Sequence, residues 1–240
     1  MTPDGRLILE QLQRVADERR RRAGDPVLDA RVHTVKHYQH ARFARTYADM
    51  LGLPRYERAA CLFLDELYGP HDFTRRDDQF ARVVPALVRL FPQDIVATVV
   101  ALAELHALSE ALDTAMAVAL GDQAIGAASY AGAWQQVGRP QDRERQIALM
   151  LTVGNELDRL TRNPLLRHTL RLMRGPARAA GLSALQQFLE TGFDTFRDMR
   201  GAASFLQTIA DRERALASAL FAADPVALAT SVPPALGQLP

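Results

Sequence analysis

The sequence predicts an all-α protein, a multi-helix bundle of about ten helices, and three observations predict it. Apolar residues recur at three- and four-residue steps along nearly the whole chain. Prolines and glycines fall between these periodic segments, where they start and stop helices. No Asn-Gly or Asp-Gly pair stands between two alternating apolar–polar runs, as a tight β-hairpin requires.

Each element then follows from its own punctuation. The first helix covers 3–22, with Ile8, Leu12 and Val15 turned inward. Asp25-Pro26 starts the second, the aspartate as cap and the proline in the first turn, and the helix continues to 51. Pro54 opens a third that ends at "YGP", 68–70. Thr74 with Asp77 three residues on suits a capping-box-like start, although glutamate is the usual partner. That fourth helix runs to 91, and Pro85 inside it is expected to kink or split it. Pro92 opens the fifth and most apolar helix, which ends at Gly121. Asp122 caps the sixth, "QAIGAASYAGAWQQV", whose small residues permit close packing. Pro140 precedes the seventh, to 162, and Asn163-Pro164 the eighth, which stops at "RGP", 174–176. Ser183 caps a helix to 200, and a last long one spans 202–222. The tail 231–240, "SVPPALGQLP", has no periodic pattern and is expected to be mobile. The expected organisation is one domain over 1–230, with N-terminal and C-terminal helical halves and a candidate seam at 138–144, "GRPQDRE".

Composition bounds the function classes. A 48% hydrophobic chain of 240 residues is globular, and a formal net charge of +1 gives no bulk attraction to nucleic acid or to a membrane. Lys36 is the one lysine among 29 basic residues; this arginine bias, with abundant alanine, suggests a GC-rich bacterial genome. Cys61 is the single cysteine, which excludes an intrachain disulfide and a cysteine-based metal cage. The N-terminal residues lack a secretory pattern, and the apolar run "IVATVVALA", 95–103, is too short to span a bilayer, so a soluble cytoplasmic protein is expected.

Three places carry candidate chemistry. The stretch "RVHTVKHYQHARFARTY", 31–47, holds His33, His37 and His40. A helix turns about 100° per residue, so with Val32 at zero, Leu28, Val35, Phe43 and Met50 fall within about 60° and form the core stripe. By the same step the three histidines fall near 80–140°, on the flank of that stripe. Two histidines four apart can share a metal, but closing a site needs ligands from another helix. On the opposite flank, Arg31, Arg42 and Arg45 with Tyr38 and Asp49 read as a solvated face with an Arg45–Asp49 pair.

In the fifth helix, Leu102, Leu105, Leu112 and Met116 make a heptad-like seam, and His106, Glu110 and Asp113 form a polar line beside it. A segment this apolar is covered by neighbours, and polar groups inside it are costly unless paired. The line reads as a structural network with His106 bonded to Glu110, as ligation of a metal or haem, or as acid–base chemistry. The third place is the loop "DELYGPHDFTRRD", 65–77, with Tyr68, His71 and Asp72 around a Gly-Pro break; a helix stop followed by a capped start accounts for most of it.

Two arginine-rich stretches are less specific. "ERRRR", 18–22, closes the first helix, where cations complement the helix dipole, and no helix-turn-helix or zinc finger accompanies it. "LTRNPLLRHTLRLMRGPAR", 160–178, is amphipathic, with His168 on a helix flank. No phosphate-binding loop, nucleophile elbow or dinucleotide fingerprint is present. The expected function is therefore a soluble helical bundle that binds a small ligand or another protein, as monomer or homodimer, with neither nucleic acid nor membrane as partner. The alternative is a metal- or haem-dependent enzyme or sensor using histidines of the second and fifth helices. No particular cofactor is identified by the residues.

Overall fold

The helices begin where short polar side chains meet orphan backbone N–H groups. In the computed structural model, which describes residues 2–67, 69 and 73–240, Thr2 caps α1 (Pro3–Ala23) by accepting from the Gly5 N–H at 3.2 Å. Asp25 accepts from the N–H groups of Val27 and Leu28 to start α2 (Pro26–Thr46), with Pro26 in the first turn. Asn163 does the same for α9 (Pro164–Leu172) and Asp224 for α13 (Pro225–Leu228). Each cap satisfies donors that a helix start leaves unpaired.

The remaining elements are α3 (Ala48–Leu51), α4 (Glu57–Leu62) running into a π-helical turn (Phe63–Leu67), α5 (Thr74–Leu90), α6 (Gln93–Leu120), α7 (Ala127–Val137), α8 (Pro140–Thr161), α10 (Arg174–Ala179), α11 (Ser183–Asp198) and α12 (Ala203–Ala222). A 3₁₀ turn, Pro234–Leu236, follows near the end. No strand occurs among the described residues, so the protein is an all-α multi-helix bundle.

Boundaries differ from the sequence reading at four points. The second helix stops at Thr46, because Tyr47 leaves helical geometry and turns its ring into the core, and α3 restarts after it. Residues 54–56 form turns, so α4 starts at Glu57 and not at Pro54. The sixth segment begins at Ala127, with Ser129 Oγ accepting from the Gly126 N–H at 3.0 Å. Pro176 does not stop the chain's helicity, since it sits in the first turn of the new helix α10, where its missing N–H costs nothing. Helix α5 continues through Pro85.

α6 is the hub. It packs against α1, α2, α5, α7 and α8. Among the described residues it is the helix long and apolar enough to cross a membrane by composition, and here neighbouring helices cover much of it. α8 lies antiparallel to it: Arg159 meets Asp94 near the start of α6, and Gln146 meets Ser109 further along, so one numbering falls as the other rises. α8 also meets α12 closely, where the Cα of Gly154 sits against the side chain of Leu206.

Three apolar clusters hold these contacts. One joins Phe43, Tyr47, Phe63, Leu105, Met150, Phe196 and Phe205 at the centre. A second gathers Leu28, Val32, Val35, Leu120, Trp134 and Leu220 under α7. A third packs Ile8, Leu12, Val84, Val96 and Ala103 between α1, α5 and α6. The predicted core stripe of the second helix, Leu28, Val32, Val35, Phe43 and Met50, is buried throughout.

The tail 231–240 corrects the expectation of mobility. Leu236 is 1% and Leu239 5% exposed, both in the second cluster, and Arg45 Nη1 donates to the Leu239 carbonyl at 2.8 Å. The two adjacent prolines removed any periodic signal, but Leu236 ends a 3₁₀ turn and Leu239 follows three residues on, its N–H donating to the Leu236 carbonyl at 3.0 Å, so the two leucines dock together.

Candidate functional site: a polar chamber at the end of an apolar cavity

Two turns of α6 carry the predicted polar line, and the structure covers it. Glu110 and Asp113 are buried and His106 is half-buried. The expected His106–Glu110 pair is not formed. His106 Nε2 lies 2.8 Å from Asp77 Oδ2 on α5, and Arg19 Nη2 of α1 donates to that same oxygen at 2.7 Å. A carboxylate only accepts, so Nε2 carries the ring proton in this contact. Burial pushes Asp77 up, but the hydrogen bond from His106 and the charges of His106, Arg76 and Arg19 overcome it and hold the carboxyl at about 2.

Glu110 has its own partners. Arg22 Nη2 of α1 bonds to Oε2, and Lys36 Nζ of α2 donates to Oε1 at 2.6 Å. Burial alone would raise this carboxyl; Lys36 and Arg22 outweigh it and bring it down to about 2. Asp113 behaves oppositely. Burial raises it and the Glu110 charge adds to the rise, against the attraction of Lys36 and Arg143 and a hydrogen bond from Gln39. One turn of helix thus separates an ionised carboxylate from a carboxyl driven toward its neutral form.

The chamber extends across α2, α7, α8 and α12. Arg42 bonds to Glu213 Oε1, which also accepts from the Tyr47 hydroxyl at 2.9 Å. Arg143 lays its guanidinium over Trp134, Cζ 3.9 Å from the ring centroid, and donates to Gln146 Oε1 at 3.2 Å. Gln146 Nε2 in turn donates to Ser109 Oγ at 2.8 Å. The buried indole N–H of Trp134 has no acceptor among the described residues.

Of these groups, Lys36, Gln39, Asp77, His106, Ser109, Glu110, Asp113, Trp134, Arg143, Gln146 and Glu213 line one end of a cavity of about 570 Å³, with Arg19, Arg22, Arg42 and Tyr47 behind them. Along α6 its wall reads Ile95, Val99 and Leu102, then His106, Ser109, Glu110 and Asp113. Antiparallel α8 matches this, with Leu160, Leu157, Met150 and Ile147 giving way to Gln146 and Arg143. At 1.5 Å per residue, the lining stretch of α6 spans roughly 27 Å. The apolar end is closed by α5, α9 and α11, and Leu90, Phe91, Met173 and Leu189 line it while lying 71%, 45%, 48% and 43% exposed. Large apolar side chains in contact with both cavity and solvent mark where the cavity meets the surface.

The other predicted residues lie elsewhere. His33 and His37 are exposed on α2, His33 within 3.6 Å of Asp29, and half-buried His40 lies 3.8 Å from Asp65. None of them joins His106, whose partner is Asp77. Among the described residues no group of three or more His, Cys, Asp or Glu side chains is close enough to hold a metal ion. Tyr68, His71 and Asp72 lie outside the described residues. Cys61 is half-buried, and burial, with Asp65 and Glu57 nearby, pushes its thiol up.

The arginines required the largest correction. The flank read as solvated contains buried Arg42 and Tyr38, and the expected Arg45–Asp49 pair is replaced by Arg45 on Leu239 and Asp49 on Arg212. In "ERRRR", Arg19 and Arg22 are not dipole decoration but reach α5 and α6. Asp77, read as a cap, is the His106 partner. Sequence reasoning also passed over Lys36, Trp134, Arg143 and Glu213. Lys36 carried one signal, as the single lysine of an arginine-rich chain and one turn from the core stripe.

Residues 18–227 match the family model described as a domain of unknown function, DUF8198, so the chain belongs to that family. No curated protein and no solved structure matches it.

Proposed function

We propose that this family member binds a small amphiphilic molecule inside the bundle, with a polar group in the α6–α8 chamber and an apolar body along the rest of the cavity. The observation that carries this reading is the change of lining within one continuous cavity, made in step by two antiparallel helices. A volume of about 570 Å³ falls in the range of small-molecule sites, which are mostly apolar with a few convergent polar groups. A structural network alone accounts for the ion pairs, but a well-packed core leaves few voids larger than a water molecule.

Trp134 makes the test direct, because the chain has one tryptophan and it lines the polar end. Titration with long-chain amphiphiles is expected to change its emission saturably, with a stoichiometry of about one, since the cavity is single-chain and continuous. Emission that stays flat for every long-chain probe, or that changes only where the probe forms micelles, overturns the reading.

A further inference from the structure

The large apolar side chains that stand in solvent are not scattered. Of the twelve among the described residues, Leu90, Phe91, Leu165, Leu172, Met173 and Leu189 belong to the elements that close the apolar end of the cavity, α5, α9 and α11, and the turns after α5 and α9. Single exposed leucines are ordinary, but a cluster at the mouth of a cavity marks a contact surface. α9 has no buried residue, and its sides divide the work. At about 100° per residue, Leu166, Thr169, Leu170 and Met173 fall on one side, and these line the cavity. Leu165 and Leu172 come next around the helix and face solvent, followed by His168 and Arg171, also exposed.

The same segment is basic. Residues 162–182 carry Arg162, Arg167, Arg171, Arg174 and Arg178 and no acidic residue. Three carboxylates reach it from α8 and α11: Asp158 pairs with Arg162, Asp194 with Arg167 and Glu190 with Arg174. In the first and third of these pairs the arginine is exposed and the acid lies mostly covered beneath it. Glu190 also feels the charge of Arg171, but neither Arg171 nor Arg178 has a carboxylate at ion-pair distance among the described residues. Five cations against three carboxylates leave the segment positive. The formal +1 of the whole chain hides this, because in about 0.1 M salt a surface responds only to charge within roughly 10 Å.

We infer that this face docks on an anionic lipid bilayer, with Leu165 and Leu172 seated among the headgroups and Arg171 and Arg178 against the lipid phosphates, so that the cavity mouth opens onto the membrane. The inference rests on the amphiphile-cavity reading above for what passes through the mouth, and adds the surface from which it comes. Leucines on one side of a short helix and arginines on the other are the makings of an interfacial helix, which takes affinity from both apolar burial and charge. A bilayer suits this face better than another protein because of where the face lies. An amphiphile that leaves the membrane through a docked mouth passes from lipid to apolar lining without exposing its chain to water, which is the costly step for such a molecule.

The test is co-sedimentation of the full chain with phosphatidylcholine vesicles, with and without phosphatidylglycerol. The protein is expected to pellet with the phosphatidylglycerol vesicles and to be released by salt. A cationic side chain near an anionic surface is worth roughly fivefold in partitioning, so Arg171→Gln with Arg178→Gln is expected to weaken it roughly twentyfold. Leu165→Gln with Leu172→Gln removes the apolar contact and is expected to weaken it at least roughly tenfold. All four side chains are exposed and none lines the cavity, so both double variants are expected to keep the wild-type melting temperature and the Trp134 emission response to micelle-free amphiphile. A wild type that responds to amphiphile but pellets with neither vesicle overturns the docking and leaves the cavity reading standing. Pelleting without any amphiphile response overturns the cavity reading and leaves the docking face standing. Equal pelleting on the two vesicle types overturns the anionic surface, and equal pelleting of wild type and both variants overturns the face. A dimer that is lost in the leucine variant, with no vesicle binding, assigns the face to a second copy of the chain and overturns the membrane.

Discussion

Removing the Glu110 side chain tests the buried ion network most directly. Glu110 is 4% exposed and takes two cations, Arg22 from α1 and Lys36 from α2. Glu110→Ala leaves both charges facing a low-dielectric interior without their carboxylate. Breaking a buried pair from one side costs about 3–5 kcal/mol, mostly because the surviving charge remains desolvated. An independent route gives a similar size. The carboxyl is held at about 2 against an ordinary 4.5, and a displacement of that width corresponds to roughly 3 kcal/mol of preference for the ionised form. For a chain of this length, each kcal/mol moves the melting temperature by about 2–4 °C, so the expected drop is roughly 6–20 °C. The control is Glu104→Ala. Glu104 makes a bidentate pair with Arg145 at 2.7 Å on the surface, where such pairs contribute under about 1 kcal/mol. Urea unfolding followed by far-ultraviolet circular dichroism measures both. The pH dependence has a fixed sign: a carboxyl lowered in the folded state stabilises fully above its ordinary value, and that stability is lost as pH falls from about 4.5 toward 2. The gap between wild type and Glu110→Ala is therefore expected to narrow across that window. A Glu110→Ala chain no less stable than Glu104→Ala, or a gap that does not depend on acid, refutes the network as drawn.

Two further outcomes follow from packing. At Gly154 an added Cβ meets Leu206 Cδ2 at 2.6 Å and Cδ1 at 3.2 Å, so Gly154→Ala is expected to destabilise by about 1–2 kcal/mol despite the helix preference for alanine; a gain in stability would show that α8 and α12 can spread. Leu236→Ala removes a side chain that is 1% exposed and is expected to cost about 2–4 kcal/mol in urea unfolding, whereas a tail that does not dock gives no loss.

Why was the fold legible and the site only half so? Helix positions came from local rules that the chain obeys closely. Asp25, Asn163 and Asp224 are side-chain caps in the structure, and Pro26, Pro140 and Pro164 stand in first turns. The misreadings arose where a tertiary contact overrode a local signal. Tyr47 breaks the second helix because its buried ring and hydroxyl find a place between α12 residues Ile209 and Glu213. No feature of the neighbouring sequence announces that contact, since residues 47 and 213 lie far apart in the chain.

The polar site shows the same division in sharper form. Periodicity placed His106, Glu110 and Asp113 on one covered line because residues three and four apart on a helix are neighbours. It then paired His106 with Glu110, the only partner visible within a single helix. The true partners sit on other helices, Asp77 on α5 and Arg22 and Lys36 on α1 and α2. Long cationic side chains can reach across a bundle while their stems pack on apolar surface, so an arginine in "ERRRR" looks the same in sequence whether it ends in water or on a buried glutamate. What decides between those fates is the demand of the acceptor. A carboxylate on the most apolar helix of the chain needs cations from its neighbours, and of the arginines at the end of α1, Arg19 and Arg22 are three apart and so share the face turned toward α5 and α6. The line of acids on α6 therefore implied a line of cations on the helices around it.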